Sequence, residues 1–170
     1  MLRSVIAVAV LVAFIGYGFV TDYLGDLAPK ATAQGEVPAS AVEHRVKRIV
    51  DGDTVYMRDG TKVRLHGIDT PEDDQPYGKQ ATRNLDKLIG GKVLVVEKDT
   101  DRYGRLVGTL YTPEGVNVNL EMVCNGSAWW YSRYAKNNRA MSDCQAKAKE
   151  AGLGLWESDD PMPPWEWRRR

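Results

Sequence analysis

The chain has 170 residues, of which 43% are hydrophobic and 27% are charged, and its 23 basic residues balance 23 acidic ones. This length suits one ordinary domain with an extension, and the hydrophobic fraction excludes an intrinsically disordered chain. The zero net charge excludes recruitment of a nucleic acid by bulk basicity, but it leaves room for a local basic patch. Two cysteines, Cys124 and Cys144, are too few for a disulfide scaffold or a four-cysteine zinc site.

Residues 1–22 predict an export signal or an N-terminal membrane anchor. An apolar run at residues 5–20 follows Arg3, and a basic residue before such a stretch is typical of an export signal. A small-x-small cleavage motif occurs at residues 31–33. If cleavage does not occur, residues 4–20 would hold the protein to the membrane. Both alternatives stay open, and both place the domain outside the cytoplasm.

Residues 23–41 are rich in Ala, Pro, Gly and small polar residues, which predicts a flexible linker. An exported domain meets an oxidising compartment, which permits a disulfide between Cys124 and Cys144. Two unpaired buried thiols are the alternative, and the spacing of the two cysteines does not decide between them.

From residue 42 the pattern changes to short β-rich runs separated by turn residues. Strands are predicted over residues 42–50, 54–58, 61–68, 92–99 and 105–111. Helices are predicted over residues 78–89, 117–126 and 138–151. This order predicts an α+β fold over residues 42–157, in which a five-stranded Greek-key barrel of the OB type carries three helices. The prolines of residues 158–170 indicate a tail that continues no helix.

Polar side chains concentrate in three segments where predicted strands end, at residues 51–54, 63–72 and 101–105. Asp53 and Asp69 could converge on a hard cation, which takes oxygen ligands. Glu72 could orient a water molecule. Arg64 and Arg105 offer forked donors to a phosphate and to the charge that develops on it. Each segment alone has an ordinary alternative as a turn or a solvated strand position. Together they predict a phosphodiester-cleaving set.

Four runs in this sequence resemble the staphylococcal nuclease (thermonuclease) family of OB-fold nucleases. They are DGDT, VRLHGIDTPE, DRYGRLVGTLY and NLEMVCNGSAW, and the resemblance covers about residues 42–156. It is specific, because an arginine and an aspartate five residues apart in RLxxIDTPE are rare by chance and the other motifs occur in the family's order.

The resemblance implies a calcium site and a general base. Asp53 and Asp69 match the family's calcium carboxylates, and Thr70 matches the ligand that contributes its backbone carbonyl. Glu72 matches the carboxylate described as the general base for the attacking water.

The resemblance also implies a set of substrate contacts. Arg64 and Arg105 match the two arginines that hold the scissile phosphate, and Arg102 and Tyr103 match positions that contact a neighbouring phosphate.

Two aromatic residues pack against the nucleotide in the family. Tyr134 matches one of them, whereas the other falls on Ser132. We therefore expect Tyr131 or a tryptophan to replace it.

The resemblance thus implies a monomeric, calcium-dependent endonuclease that hydrolyses DNA and RNA by in-line attack of water. Single-stranded substrates are expected to be preferred, because aromatic side chains on a shallow barrel face reach unpaired bases more easily. A non-catalytic, membrane-tethered OB-fold module that binds nucleic acid is one alternative, and a tethered protein-interaction domain is another. The presence of all five charged residues of the cluster favours the nuclease.

Overall fold

The computed structural model describes residue 33 and residues 35–170. The predicted export segment and most of the predicted linker lie outside the described residues. In the described part of the chain, no helix combines the length and the apolar character needed to cross a membrane.

The barrel strands are β1 (Val42–Asp51), β2 (Thr54–Met57), β3 (Lys62–Leu65), β5 (Lys92–Thr100) and β6 (Leu106–Tyr111), and a separate pair is formed by β4 (Ile68–Asp69) and β7 (Trp129–Trp130). The five barrel strands close in the order β1-β2-β3-β6-β5. β1 pairs antiparallel with both β2 and β5, whereas β3 and β6 run parallel and close the barrel. This arrangement confirms the predicted OB-type barrel.

The predicted strand over residues 61–68 is interrupted in the structure. Gly67 has a φ of +77°, a left-handed conformation that favours glycine, and a Cβ there would lie 2.8 Å from the Cβ of Ala135. The chain therefore leaves the barrel after β3, and β4 pairs with β7 instead. This break places Asp69 outside the barrel wall and opposite Arg64, within hydrogen-bonding distance.

The helices are α1 (Gly78–Leu88), α2 (Val118–Cys124), α3 (Arg139–Glu150) and α4 (Pro164–Trp167), with a 3-10 helix at Gly154–Glu157. Asn117 and Asn138 cap α2 and α3 by accepting the backbone N–H three residues ahead. A disulfide between Cys124 and Cys144 joins these two helices, which decides the alternative that the sequence left open.

The fourth helix is not predicted by the sequence, because prolines such as those of the tail ordinarily end a helix. Pro164 instead occupies the first turn of α4, where its missing N–H costs nothing and its fixed φ suits the helix.

The core lies inside the barrel and continues under α1 and α2. Its fully buried members include Val55, Met57, Val63, Leu65, Leu85, Val93, Leu110, Met122 and Val123. A second, smaller cluster is formed by Trp129, Ala148, Leu155 and Trp156, and Trp165 of the tail packs against it. The tail is therefore attached to the domain by apolar contacts.

Asn119 is a polar residue at the centre of this packing, with no exposed surface. Its Oδ1 accepts from the backbone N–H of Leu110 at 3.0 Å, and its Nδ2 donates to the carbonyls of His66 at 2.9 Å and Gly108 at 3.1 Å. It thereby connects α2 to β6 and to the break between β3 and β4.

The end of the predicted linker also contacts the domain. Ala33 is buried, its carbonyl accepts from the N–H of Asn117, and Gly35 donates to the carbonyl of Gly115. Ala33 and Gly35 are therefore held against the loop that follows β6.

Candidate active site

A cleft of about 1110 Å³ opens where β3 and β4 meet the loop between β5 and β6. The ten side chains predicted as site residues all line it: Asp53, Arg64, Asp69, Thr70, Glu72, Arg102, Tyr103, Arg105, Tyr131 and Tyr134. The fold therefore brings together residues from four separate segments of the sequence, while the roles assigned to them stay predictions.

Asp53 lies in the turn between β1 and β2 and is almost completely buried. One carboxylate oxygen accepts from both the backbone N–H and the hydroxyl of Thr70 at 3.1 Å, and the other accepts from the hydroxyl of Thr54. A Cβ at Gly52 would lie 2.7 Å from the Thr70 hydroxyl oxygen, so the glycine permits this close approach. These contacts attach the β1–β2 turn to the segment after β4.

Arg64 lies between the two buried carboxylates. Its Nη2 is 3.0 Å from Asp53 Oδ2 and 3.1 Å from Asp69 Oδ1. Its Nη1 donates to the carbonyl of Leu65 at 2.6 Å. The side chain is 15% exposed, so the guanidinium is held by the fold before any substrate arrives.

Burial makes ionisation of Asp51 and Asp69, at this end of the cleft, costly. Burial raises the pKa of Asp69, the hydrogen bond from Arg168 lowers it by less, and the charge of Asp53 raises it further. Burial and the neighbouring Asp53 raise the pKa of Asp51 to about 7. A bound cation would relieve this cost.

The donor set fits calcium, the metal that the family resemblance implies. Asp53 and Asp69 present buried carboxylate oxygens that both reach the same nitrogen of Arg64, so one cation can reach both. Calcium prefers such oxygen ligands and completes its shell with carbonyls and water. Between residues 35 and 170, and at residue 33, no three acidic, histidine or cysteine side chains form a metal-holding group. The remaining ligands would therefore come from the backbone, as predicted for Thr70, and from water.

Glu72 follows β4 at the mouth of the cleft. Its backbone N–H donates to Gln75 Oε1 at 3.1 Å, and Gly78 packs so closely on its carbonyl that a Cβ would clash. The backbone is thus fixed while the side chain is 38% exposed, which suits a group that must reach water.

Arg168 contacts both of these acidic side chains from the C-terminal tail. Its Nη2 lies 2.8 Å from Asp69 Oδ2, and its Nη1 lies 2.5 Å from Glu72 Oε1. The sequence analysis did not predict this contact. Because 96 residues separate Arg168 from Glu72, no local pattern could have indicated the contact.

The opposite side of the cleft is the loop between β5 and β6. Asp101 Oδ2 accepts from Arg105 Nε at 2.7 Å, and its other oxygen accepts from the backbone N–H groups of Tyr103 and Arg105. Burial opposes ionisation of Asp101, but these hydrogen bonds outweigh it and lower its pKa. The guanidinium groups of Arg102 and Arg105 lie 4.9 Å and 5.6 Å from the ring centre of Tyr103. The loop therefore presents two cations and an aromatic ring together.

The aromatic side chains differ in how much surface they offer. Tyr103 and Tyr134 are 70% and 64% exposed. Tyr131 is stacked on Trp165, with ring centres 5.1 Å apart. Tyr134 contacts the Tyr131 ring edge-on, also with ring centres 5.1 Å apart. One face of Tyr131 is therefore covered by Trp165, a contact that the sequence did not predict.

Comparisons with known proteins agree on one family. The family model for staphylococcal nuclease homologues matches residues 62–158. An uncharacterized endonuclease of Escherichia coli O157:H7 is 41% identical over 133 residues, which cover 76% of this chain and 86% of that protein. A micrococcal nuclease of Shigella flexneri is 40% identical over 147 residues, covering 78% of this chain and 84% of that protein. A probable staphylococcal-like nuclease of Oryza sativa subsp. japonica is 43% identical over 109 residues, 64% of this chain and 32% of that protein.

The match includes more than half of the chain and contains Arg64, Asp69, Glu72 and Arg105. The relatives named endonuclease and micrococcal nuclease cover most of their own length in the alignment. The barrel, the cleft and the comparisons thus point to the same conclusion. The chain belongs to the staphylococcal nuclease family and is a hydrolase that acts on phosphodiester bonds.

Proposed function

We propose that this protein is a calcium-dependent endonuclease that hydrolyses DNA and RNA, with Glu72 as the general base. The observation that supports this proposal is the convergence of two buried carboxylates, one exposed carboxylate and two arginines in a single cleft. A binding module would need the cations and aromatic rings, but it would gain nothing from buried acidic groups beside a phosphate.

In this proposal Asp53, Asp69 and the carbonyl of Thr70 hold calcium. The bound ion would neutralise charge on the phosphoryl group and polarise it. Ionising two carboxylates in a buried position costs stability, and a bound cation would offset this cost in addition to the contacts with Arg64.

The reaction itself uses Glu72 and the two arginines. Glu72 accepts a proton from water, and the water oxygen forms a bond to phosphorus in line with the leaving group. The bond from phosphorus to the 5′ oxygen breaks, and the departing oxygen takes a proton from solvent to leave as the alcohol. Arg64 and Arg105 donate hydrogen bonds to the phosphoryl oxygens, on which negative charge increases in the transition state. Arg105 is oriented for this by the charge-assisted hydrogen bond to Asp101.

Arg102, Tyr103, Tyr131 and Tyr134 would bind the substrate strand beside the scissile phosphate. The large exposed surfaces of Tyr103 and Tyr134 can stack on bases that are not paired, at about 1–3 kcal/mol for each base. We therefore propose a preference for single-stranded substrates, bound by a monomer.

We also propose that the domain acts outside the cytoplasm, either secreted after cleavage or anchored through residues 4–20. The disulfide between Cys124 and Cys144 supports this, because such bonds persist in oxidising compartments.

The experiment that tests the function compares cleavage of single-stranded DNA and RNA by the purified protein in millimolar calcium and in excess chelator. Glu72→Gln should lower the rate by about 10²- to 10⁴-fold, whereas Glu150→Gln, an exposed position on α3, should leave it unchanged. Cleavage that persists in the chelator would contradict the calcium dependence. Tight binding of DNA without cleavage would favour the binding module.

A further inference from the structure

The last ten residues form a strap across the mouth of the cleft. We use the name C-terminal strap for residues 161–170. Gln75 Nε2 donates to the carbonyl of Met162 at 2.6 Å, and Trp167 Nε1 donates to Asp74 Oδ1 at 3.1 Å. Together with the stacking of Trp165 on Tyr131, these contacts fix the strap at three points.

The strap delivers Arg168 to the acidic end of the cleft. Nη1 of Arg168 bridges Glu72 Oε1 and Asp69 Oδ1, at 2.5 Å and 3.3 Å, and Nη2 lies 2.8 Å from Asp69 Oδ2. A guanidinium is a rigid fork that matches carboxylate geometry, and here the fork spans the two acids. Arg168 therefore contacts both carboxylate oxygens of Asp69. Arg64 contacts Oδ1 as well.

A divalent cation cannot share this arrangement. Calcium ligands lie at about 2.3–2.6 Å from the ion, so an ion on Asp69 would lie a few ångström from the Arg168 guanidinium and repel it. Of the two arginines, Arg168 is the one free to leave. Its side chain is 43% exposed, against 15% for Arg64, and Arg64 is also held by the carbonyl of Leu65.

We propose that Arg168 is a positioning residue that competes with the divalent cation for the active-site carboxylates. Before the cation binds, it holds Asp69 and Glu72 in place and satisfies their charge. Binding of the cation displaces it from Asp69, and because one fork serves both acids, the same movement frees the Glu72 carboxylate to contact water. The concentration of cation that the enzyme requires is then set partly by the strap. This inference rests on the calcium site proposed above.

The primary test measures calcium binding directly, by titration calorimetry on the full-length protein in detergent and without nucleic acid. Arg168→Gln should bind calcium about tenfold more tightly than the wild type. The reason is that the partly exposed ion pairs of Arg168 with Asp69 and Glu72 no longer compete with the cation. Arg168→Lys should fall between the two, since it keeps the charge and loses the fork. Arg170→Gln is the matched control, because Arg170 carries the same charge on the same strap but lies over the ring of Trp167.

A second measurement follows Arg168 itself. In ¹⁵N-arginine-labelled wild-type protein, the side-chain Nε–H resonance of Arg168 should shift during a calcium titration, with the midpoint found by calorimetry. The corresponding resonance of Arg170 should not move. A stationary Arg168 resonance at saturating calcium would overturn the displacement.

The binding data separate this inference from the proposed function. Wild-type or weaker calcium affinity in Arg168→Gln would overturn the competition, even if the enzyme cleaves DNA with calcium. Tighter binding in Arg168→Gln, in a protein that cleaves nothing, would uphold the competition and refute the proposed nuclease activity. Circular dichroism of both Arg168 variants establishes that a folded sample is compared.

Discussion

Removal of the Asn119 side chain should destabilise the barrel and displace the break that carries Asp69. In Asn119→Ala, the backbone N–H of Leu110 and the carbonyl of His66 lose the Asn119 side chain as a hydrogen-bond partner. The carbonyl of Gly108 keeps a partner, because it also accepts from the N–H of His66 at 2.8 Å. One buried and one half-buried backbone group thus lose a hydrogen bond, at about 1–3 kcal/mol each, which gives a loss of about 2–6 kcal/mol.

Urea denaturation followed by tryptophan fluorescence measures this loss in the free energy of unfolding. Asn117→Ala is the matched control, because it removes a capping side chain only two residues away and should cost about 1 kcal/mol. If Asn119→Ala costs no more than Asn117→Ala, the reasoning from unpaired backbone groups is refuted. A catalytic rate that falls at temperatures where the variant is folded would further indicate that the break between β3 and β4 has moved.

Two further perturbations test the electrostatics and the crosslink. The folded pKa of Asp51, about 7, exceeds its ordinary value of 3.8, so the folded state binds more protons between these values and stability falls as pH rises through that window. In chelator, the stability of Asp51→Asn relative to wild type should therefore increase by about 2–4 kcal/mol from pH 4 to pH 8, since one pKa unit corresponds to about 1.4 kcal/mol. A constant difference across pH in urea titrations would contradict this. Reduction of the Cys124–Cys144 disulfide, whose partners are 20 residues apart, should cost about 3 kcal/mol. An unfolding midpoint that stays unchanged after complete reduction, measured by thiol titration, would show that the crosslink contributes nothing.

The barrel could be predicted from the sequence because its strands alternate and its turns carry glycine and aspartate. The break at Gly67 could not be predicted, because residues 63–66 follow a regular strand alternation, buried and half-buried in turn. The alternation fails only at Gly67 and Ile68, which are both buried in the structure. A strand can thus end in the structure although its sequence pattern continues. Here the close contact of Gly67 with Ala135 coincides with the end of the strand.

The predicted site residues line one cleft because their motifs lie beside strand ends that the fold brings together. The contacts of Arg168 and Trp165 were missed because they depend on how the tail packs, and a Pro-rich segment carries no period that indicates a docking surface. Asn119 was missed for a related reason. A lone asparagine in a short helix has the same appearance in sequence whether it faces solvent or three backbone groups.

The parallel pairing of β3 with β6 has a consequence for when the protein becomes active. Arg64 belongs to β3 and Arg105 immediately precedes β6. The two guanidinium groups therefore face one cleft only after β3 and β6 have paired. Pairing of distant segments is slow compared with local hairpin formation. A nascent or partly folded chain would therefore have its hairpins but no phosphate site. The cell that synthesises this hydrolase would be protected from its activity until β3 and β6 pair.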